Sequence, residues 1–202
     1  MDMSKRALPY LIVILVLIAV GGASLLLMQK GTMTPTTTST GKALVGGAFS
    51  LIDHTGQRVT EADFKGAPTL VYFGFTYCPE VCPTELSRMT EVLDALGDDG
   101  ASLTPIFITI DPERDTQAVM ADYVSNFHPR MVGLTGTPAE IAIAAKAYRV
   151  YYARVEDEGS EGGYTMDHSA LVLLMGANGD YLAHFPANSP IDEMIRKIRD
   201  LI

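Results

Sequence analysis

The 202-residue chain has no tryptophan, only two cysteines and only four histidines. Thiol or imidazole chemistry is therefore confined to six positions. Basic residues are scarce as well. Beyond residue 42 there are 11 Lys and Arg against 23 Asp and Glu, a net of −12, more acidic than the whole-chain value of −9. A surface of that sign argues against nucleic acid as a partner and for a basic protein or a cation. No internal repeat is present, so the chain reads as a succession of distinct elements.

Charge is absent from one long run. Leu8 to Met28, "LPYLIVILVLIAVGGASLLLM", holds 21 uncharged residues, which as a helix rising about 1.5 Å per residue span a bilayer core of roughly 30 Å. Lys5 and Arg6 precede it and Lys30 follows, so the positive-inside tendency keeps the short N-terminus cytoplasmic and sends the rest outward. Gly21 and Ala23 give the small-x-small pattern of a signal peptide, but apolar "LLLM" follows where a cleaved chain turns polar. The expectation is an uncleaved anchor over residues 1–28. No cysteine closely follows the run, which argues against a lipoprotein. No Arg- and Ser-rich leader precedes it, which points to a bacterial inner membrane with the C-terminal domain in the periplasm. Residues 29–43, "QKGTMTPTTTSTGKA", offer almost nothing to bury and read as a flexible tether. Residues 44–202 are then the folded domain.

Within that domain, "AFSLIDHTGQRVT" predicts two short strands about a turn at Asp53 to Gly56, and "TLVYFGFT" and "LTPIFITI" predict buried strands. Leu86, Met89, Leu93 and Leu96 recur at helical spacing after the first of these, and Val119, Met120, Tyr123, Val124 and Phe127 after the second. "MVGLT" is a further strand, and "TPAEIAIAAKAYRV" a further helix. An acidic loop, "EDEGSEGG", precedes "SALVLLMGANGDYLAHF", a hairpin with Asn-Gly at its turn. The closing helix, "PIDEMIRKIRDLI", turns Ile191, Met194, Ile195, Ile198 and Leu201 inward. The alternation predicts an α/β fold, a central mixed sheet with helices on both faces. A cysteine motif directly after the first long buried strand is where thioredoxin-like folds carry theirs.

Both cysteines lie in "FGFTYCPEVCPTEL", residues 73–86. Outside a membrane they face an oxidising compartment, yet a disulfide across so short a loop removes little chain entropy and is a weak staple. A redox couple and a pair of metal ligands remain. "CPTE" repeats the syntax of "TPAE" and "SPID", in which Thr137 and Ser189 stand at a helix N-cap and Pro138 and Pro190 at the first helical position. By that analogy Cys82 is an N-cap, Pro83 opens the helix and Cys78 lies in the preceding loop. The helix dipole then predicts a lowered pKa for Cys82, opposed in part by Glu80, Glu85 and Glu91.

The motif CPxxCP resembles the signature of the Sco/SenC family, membrane proteins that help assemble cytochrome c oxidase. "FITIDPERDT", "MVGLTG", "AYRVYYARV" and "YTMDHSALVLLMGANGDYLAHF" agree with the family pattern in order, over nearly all of residues 44–202. The resemblance implies a metal site of Cys78, Cys82 and His168, the last in "MDHSA". His168 stands at the entrance to "ALVLLM", where thioredoxins place a proline; no proline occurs between Tyr164 and Met175. Two thiolates and an imidazole suit copper in either oxidation state, while spacing alone also admits zinc.

The implied function is a membrane-anchored copper-binding protein for the binuclear copper centre of the oxidase. Its implied partners are the copper-bearing oxidase subunit and a periplasmic copper donor. The alternative is a thiol-disulfide oxidoreductase, or a redox or copper sensor, using Cys78 and Cys82. A peroxidase of peroxiredoxin type is disfavoured, because the threonine it needs three residues before the reactive cysteine is absent. The ten methionines are scattered, so a methionine-rich copper-transfer patch is absent. His54, His128 and His184 read as turn, loop and strand residues. Asp111 and Asp115 in "DPERD" read first as capping residues, with a supporting role near the cysteine loop implied by the resemblance.

Overall fold

The computed structural model describes residues 44–202. The anchor and tether assigned to residues 1–28 and 29–43 lie outside the described residues. Among those described, no helix is long and apolar enough to cross a membrane.

Among the described residues, nine strands and four α-helices follow one another as β1 (Ser50–Asp53), β2 (Arg58–Thr60), β3 (Thr69–Gly74), α1 (Val81–Leu96), β4 (Thr104–Thr109), α2 (Gln117–Val124), β5 (Val132–Thr135), α3 (Pro138–Ala147), β6 (Tyr152–Glu156), β7 (Tyr164–His168), β8 (Leu171–Met175), β9 (Tyr181–Pro186) and α4 (Ile191–Leu201). Seven strands form one sheet in the order β2-β1-β5-β4-β3-β8-β9. β3, β4 and β5 run parallel at its centre. β1 pairs antiparallel with β5, and β8 with β3.

The apolar runs explain this order. All six residues of β3 are buried, as a strand covered on both faces demands. Successive side chains of β3 point to opposite faces, and each face has its own helices. Tyr72 packs on Phe107 of β4 and through it on Tyr123 of α2, and hydrogen-bonds toward Cys82 of α1. Phe73, on the other face, meets Tyr148 at the end of α3. α1 and α2 thus cover one face and α3 the other, while α4 lays Met194 and Ile198 into the core.

Two elements depart from expectation. Ser189 does not cap α4: its hydroxyl donates to the Pro186 carbonyl at 2.6 Å, and the helix starts at Ile191 with Pro190 in the cap position. The acidic segment is the end loop of a separate two-stranded ribbon, β6 against β7, with Tyr152 opposite His168. The ribbon was hidden because residues 154–156 are exposed on both faces, leaving no apolar alternation to read.

Candidate functional site

β3 delivers the chain to a turn, Phe75 to Glu80, at the carboxyl edge of the parallel strands, where open α/β sheets present their functional groups. Cys78 and Cys82 stand on either side of the start of α1, and the end of β7 brings His168 against them. Cys82 Sγ lies 3.7 Å from His168 Nε2, and Cys78 Sγ accepts the Cys82 backbone N–H at 3.3 Å. Cys82 thus neighbours both Cys78 and His168, while among the described residues no group of three His, Cys, Asp or Glu side chains already stands in a metal-holding arrangement.

The internal arrangement of the cysteines is the reverse of the expectation. α1 begins at Val81, two residues before Pro83, with Glu80 in the cap position and no side-chain cap of its own. Cys82 is therefore the second helical residue and fully buried, and its sulfur faces inward instead of capping. The first turn has no intrahelical partners for its N–H groups, so Pro83 at the third position forfeits nothing. Proline there did not discriminate between the two starts.

The cap is the other sulfur. The hydrogen bond from Cys82 holds the Cys78 thiol down at about 5, and the backbone N–H groups of Cys82, Glu80 and Val81 add to this against the opposing effect of burial. The same hydrogen bond to Cys78, followed by burial, pushes Cys82 up. Cys78, half-buried, is the ready thiolate; Cys82 is the protonated partner, wedged so tightly that a Cβ on Gly74 would stand 2.7 Å from its sulfur.

His168 is held by rings and by its backbone. Tyr72 and Phe75 meet it edge to face, at 6.0 and 6.1 Å between centroids. Nδ1 lies 3.3 Å from the Ser169 carbonyl, and a carbonyl can only accept, so Nδ1 carries the proton and the Nε2 lone pair faces Cys82. Burial pushes the imidazole pKa down, which keeps that lone pair available.

Two thiols and a neutral imidazole form a soft donor set. A sulfur and a nitrogen bonded to one ion at zinc-like lengths and tetrahedral to trigonal angles stand about 3.5–3.8 Å apart. The 3.7 Å between Cys82 Sγ and His168 Nε2 falls in that range for this one pair of donors.

A model of the SCO1/SenC family matches residues 37–202. The chain belongs to the SCO1/SenC family. Among its relatives, the SCO2-like protein of Rickettsia felis is 38% identical over 206 residues, covering 98% of this chain and 99% of that protein. A crystal structure of Arabidopsis thaliana ScoI with copper bound is similar with a TM-score of 0.74 and 41% identity, over 77% of this chain and 96% of that one. The structure of Bradyrhizobium japonicum ScoI with copper bound gives 0.71 and 44%, over 78% and 99%. The mixed sheet with flanking helices is the thioredoxin-like fold of these Sco structures, and copper is the metal they carry.

The other three histidines of this SCO1/SenC chain are occupied elsewhere. His54 Nδ1 accepts from the Gly133 N–H at 3.2 Å, His128 Nδ1 from the Arg130 N–H at 3.1 Å, and His184 Nδ1 lies 2.5 Å from the Tyr181 hydroxyl. Asp115 does more than cap. Fully buried, it accepts the Thr76 N–H at 3.0 Å and hydroxyl at 2.5 Å and the Thr109 hydroxyl at 2.6 Å, pinning the cysteine turn to the end of β4. Sequence reasoning missed Tyr72, whose hydroxyl reaches Cys82 Sγ at 3.8 Å. Its position in the buried run of β3, among other apolar residues, carried no signal of that contact.

Proposed function

We propose that the protein is a membrane-anchored copper-binding assembly factor, in which Cys78, Cys82 and His168 hold one copper ion for delivery to the binuclear copper centre of cytochrome c oxidase. The observation that carries this reading is the convergence of the Nε2 lone pair of His168 with the sulfur of Cys82, 3.7 Å apart, beside a second sulfur. A reaction of thiols alone needs no imidazole there. Membership in the SCO1/SenC family and the copper in related structures support the choice of metal. Residues 8–28 anchor the chain in a bacterial inner membrane, residues 29–43 tether it, and residues 44–202 face the periplasm. The partners are a periplasmic copper donor and the copper-bearing oxidase subunit. Cys78 is the sulfur an incoming partner ligand reaches first, because Cys82 is fully buried.

The low pKa of Cys78 favours a second reading, reduction of a disulfide in the oxidase copper site. The Cys78 thiolate attacks one sulfur of that disulfide and forms a mixed disulfide, releasing the partner's other sulfur as a thiolate. Cys82 then loses its proton and attacks Cys78, closing a Cys78–Cys82 disulfide and releasing the second partner thiolate. Two electrons pass from this chain to the partner.

Titration of the reduced full-length chain in detergent with Cu(I), beside His168→Ala and a peptide carrying an oxidised cysteine pair, separates the two. The copper reading expects one tightly bound equivalent, lost in large part in His168→Ala. Intact binding in that variant, together with rapid reduction of the peptide, hands the site to the redox reading. Peptide mapping of membrane-derived protein tests the anchor: Ser24 recovered as the first residue overturns it.

A further inference from the structure

The segment "DPERD", residues 111–115, supplies none of the three donors, yet it touches both pieces of chain that do. The cysteines follow β3 in the seven-stranded sheet, whereas His168 ends β7 in the two-stranded ribbon. β3 and β7 are not paired directly; β8, separated from β7 by two residues, pairs with β3 at Tyr72 and Val172. The backbone thus ties His168 to the sheet at one end, and side chains supply the remaining ties across the gap between the ribbon and the cysteine turn.

Arg114 spans that gap. Its guanidinium carbon lies 4.6 Å from the ring centroid of Tyr77, the residue before Cys78, and 3.8 Å from that of Tyr164, four residues before His168. Nη1 donates to the Tyr164 carbonyl at 3.1 Å. Nε donates to Asp111, and the other Asp111 oxygen accepts from the Tyr164 hydroxyl at 3.0 Å. Arg154 of β6 adds a second guanidinium over the Tyr164 ring at 3.7 Å. One planar cation is thus stacked against the cysteine turn and forked onto the histidine strand, a combination that a lysine ammonium does not reproduce.

We propose that Arg114 is a positioning residue for the three-donor site, fixing the Cys78 turn against the strand that carries His168. The proposal rests on the reading that these donors hold copper. Supporting groups behind metal ligands typically change affinity by about 10–100-fold when removed.

The test uses the full-length chain in detergent, wild type beside Arg114→Gln, Arg114→Lys, Tyr77→Leu and His168→Ala. Cu(I) affinity is measured by competition with a chromophoric chelator, and the His168 imidazole resonances are recorded by NMR in the metal-free protein. Arg114→Gln is expected to weaken copper binding by about 10–100-fold and to shift the metal-free His168 resonances. Arg114→Lys, which keeps the charge without the fork, falls between it and wild type. Tyr77→Leu, at an exposed position safe for folding, moves both readouts in the same direction by less. Wild-type affinity and unchanged His168 resonances in a folded Arg114→Gln overturn the proposal; if that variant does not fold, the same result in Tyr77→Leu does so. If His168→Ala binds copper as tightly as wild type, the copper reading is what fails, and the metal-free resonances alone then decide the role of Arg114.

Discussion

The starts of α1 and α3 are written alike, "CPTE" and "TPAE", and built differently. In α3, Thr137 caps the helix, Pro138 opens it, and Glu140 returns the bond, its carboxylate accepting the Thr137 N–H at 2.7 Å. α1 starts two residues earlier than that pattern directs, and Cys78, four residues before Cys82, takes the cap. A hydroxyl is a good hydrogen-bond acceptor and costs little when exposed, so it stays at the helix end. A thiol is a weak acceptor and among the most readily buried groups, so Cys82 turns inward, next to Tyr72 and His168. The ionisation follows the geometry: the half-buried sulfur at the N–H groups becomes thiolate, and the buried one keeps its proton.

Alkylation of the reduced, metal-free chain gives the widest separation. At pH 7, Cys78 is expected to react at least about 100-fold faster than Cys82, since a thiol of ordinary pKa is only a few per cent thiolate there and burial adds to the difference. The Cys78 rate should rise with pH about a midpoint near 5. Faster reaction at Cys82 restores the N-cap arrangement that the sequence suggested.

The same difference appears in stability. Cys78 titrates at about 5 in the folded protein against 9.0 as its ordinary value. A depressed pKa stabilises fully above the unfolded value and is lost as pH falls toward the folded one. The reduced protein therefore gains stability from pH 5 to 9 on account of Cys78, and Cys78→Ser flattens that rise in urea unfolding. Cys82, shifted the other way, contributes below 9 and loses its contribution only above it.

Gly74→Ala crowds the buried sulfur without replacing any of the three donor residues. Its Cβ stands 2.7 Å from Cys82 Sγ and 3.0 Å from both Phe107 and Tyr72, so overpacking is expected to lower stability by about 1–3 kcal/mol and to accelerate alkylation of Cys82. Thr137→Ala, at the other helix start, removes a hydroxyl cap and is expected to lower stability by about 1 kcal/mol while leaving the Cys78 to Cys82 rate ratio unchanged. A change in that ratio breaks the separation between the two ends.

The legibility of the sequence follows the same division. Strands β3, β4 and β8 and helices α1 and α3 were readable, because apolar runs and helical spacing survive any detail of capping. Cys78 and Cys82 announced themselves by rarity, but His168 was singled out through resemblance to a family, with its place at the entrance to β8 as support, since 86 residues separate it from Cys82 and no local pattern spans that distance. The start of α1 misled because proline is tolerated throughout the first turn. The ties from Asp115 to Thr76 and from Arg114 to Tyr77 and Tyr164 were invisible because "DPERD" reads equally well as an ordinary helix entry.

X-ray absorption at the copper edge of the loaded full-length chain tests the central claim most directly. Two sulfur scatterers and one nitrogen are expected, with imidazole outer-shell scattering that disappears in His168→Ala. A shell of sulfur alone, or imidazole scattering that persists in His168→Ala, contradicts it.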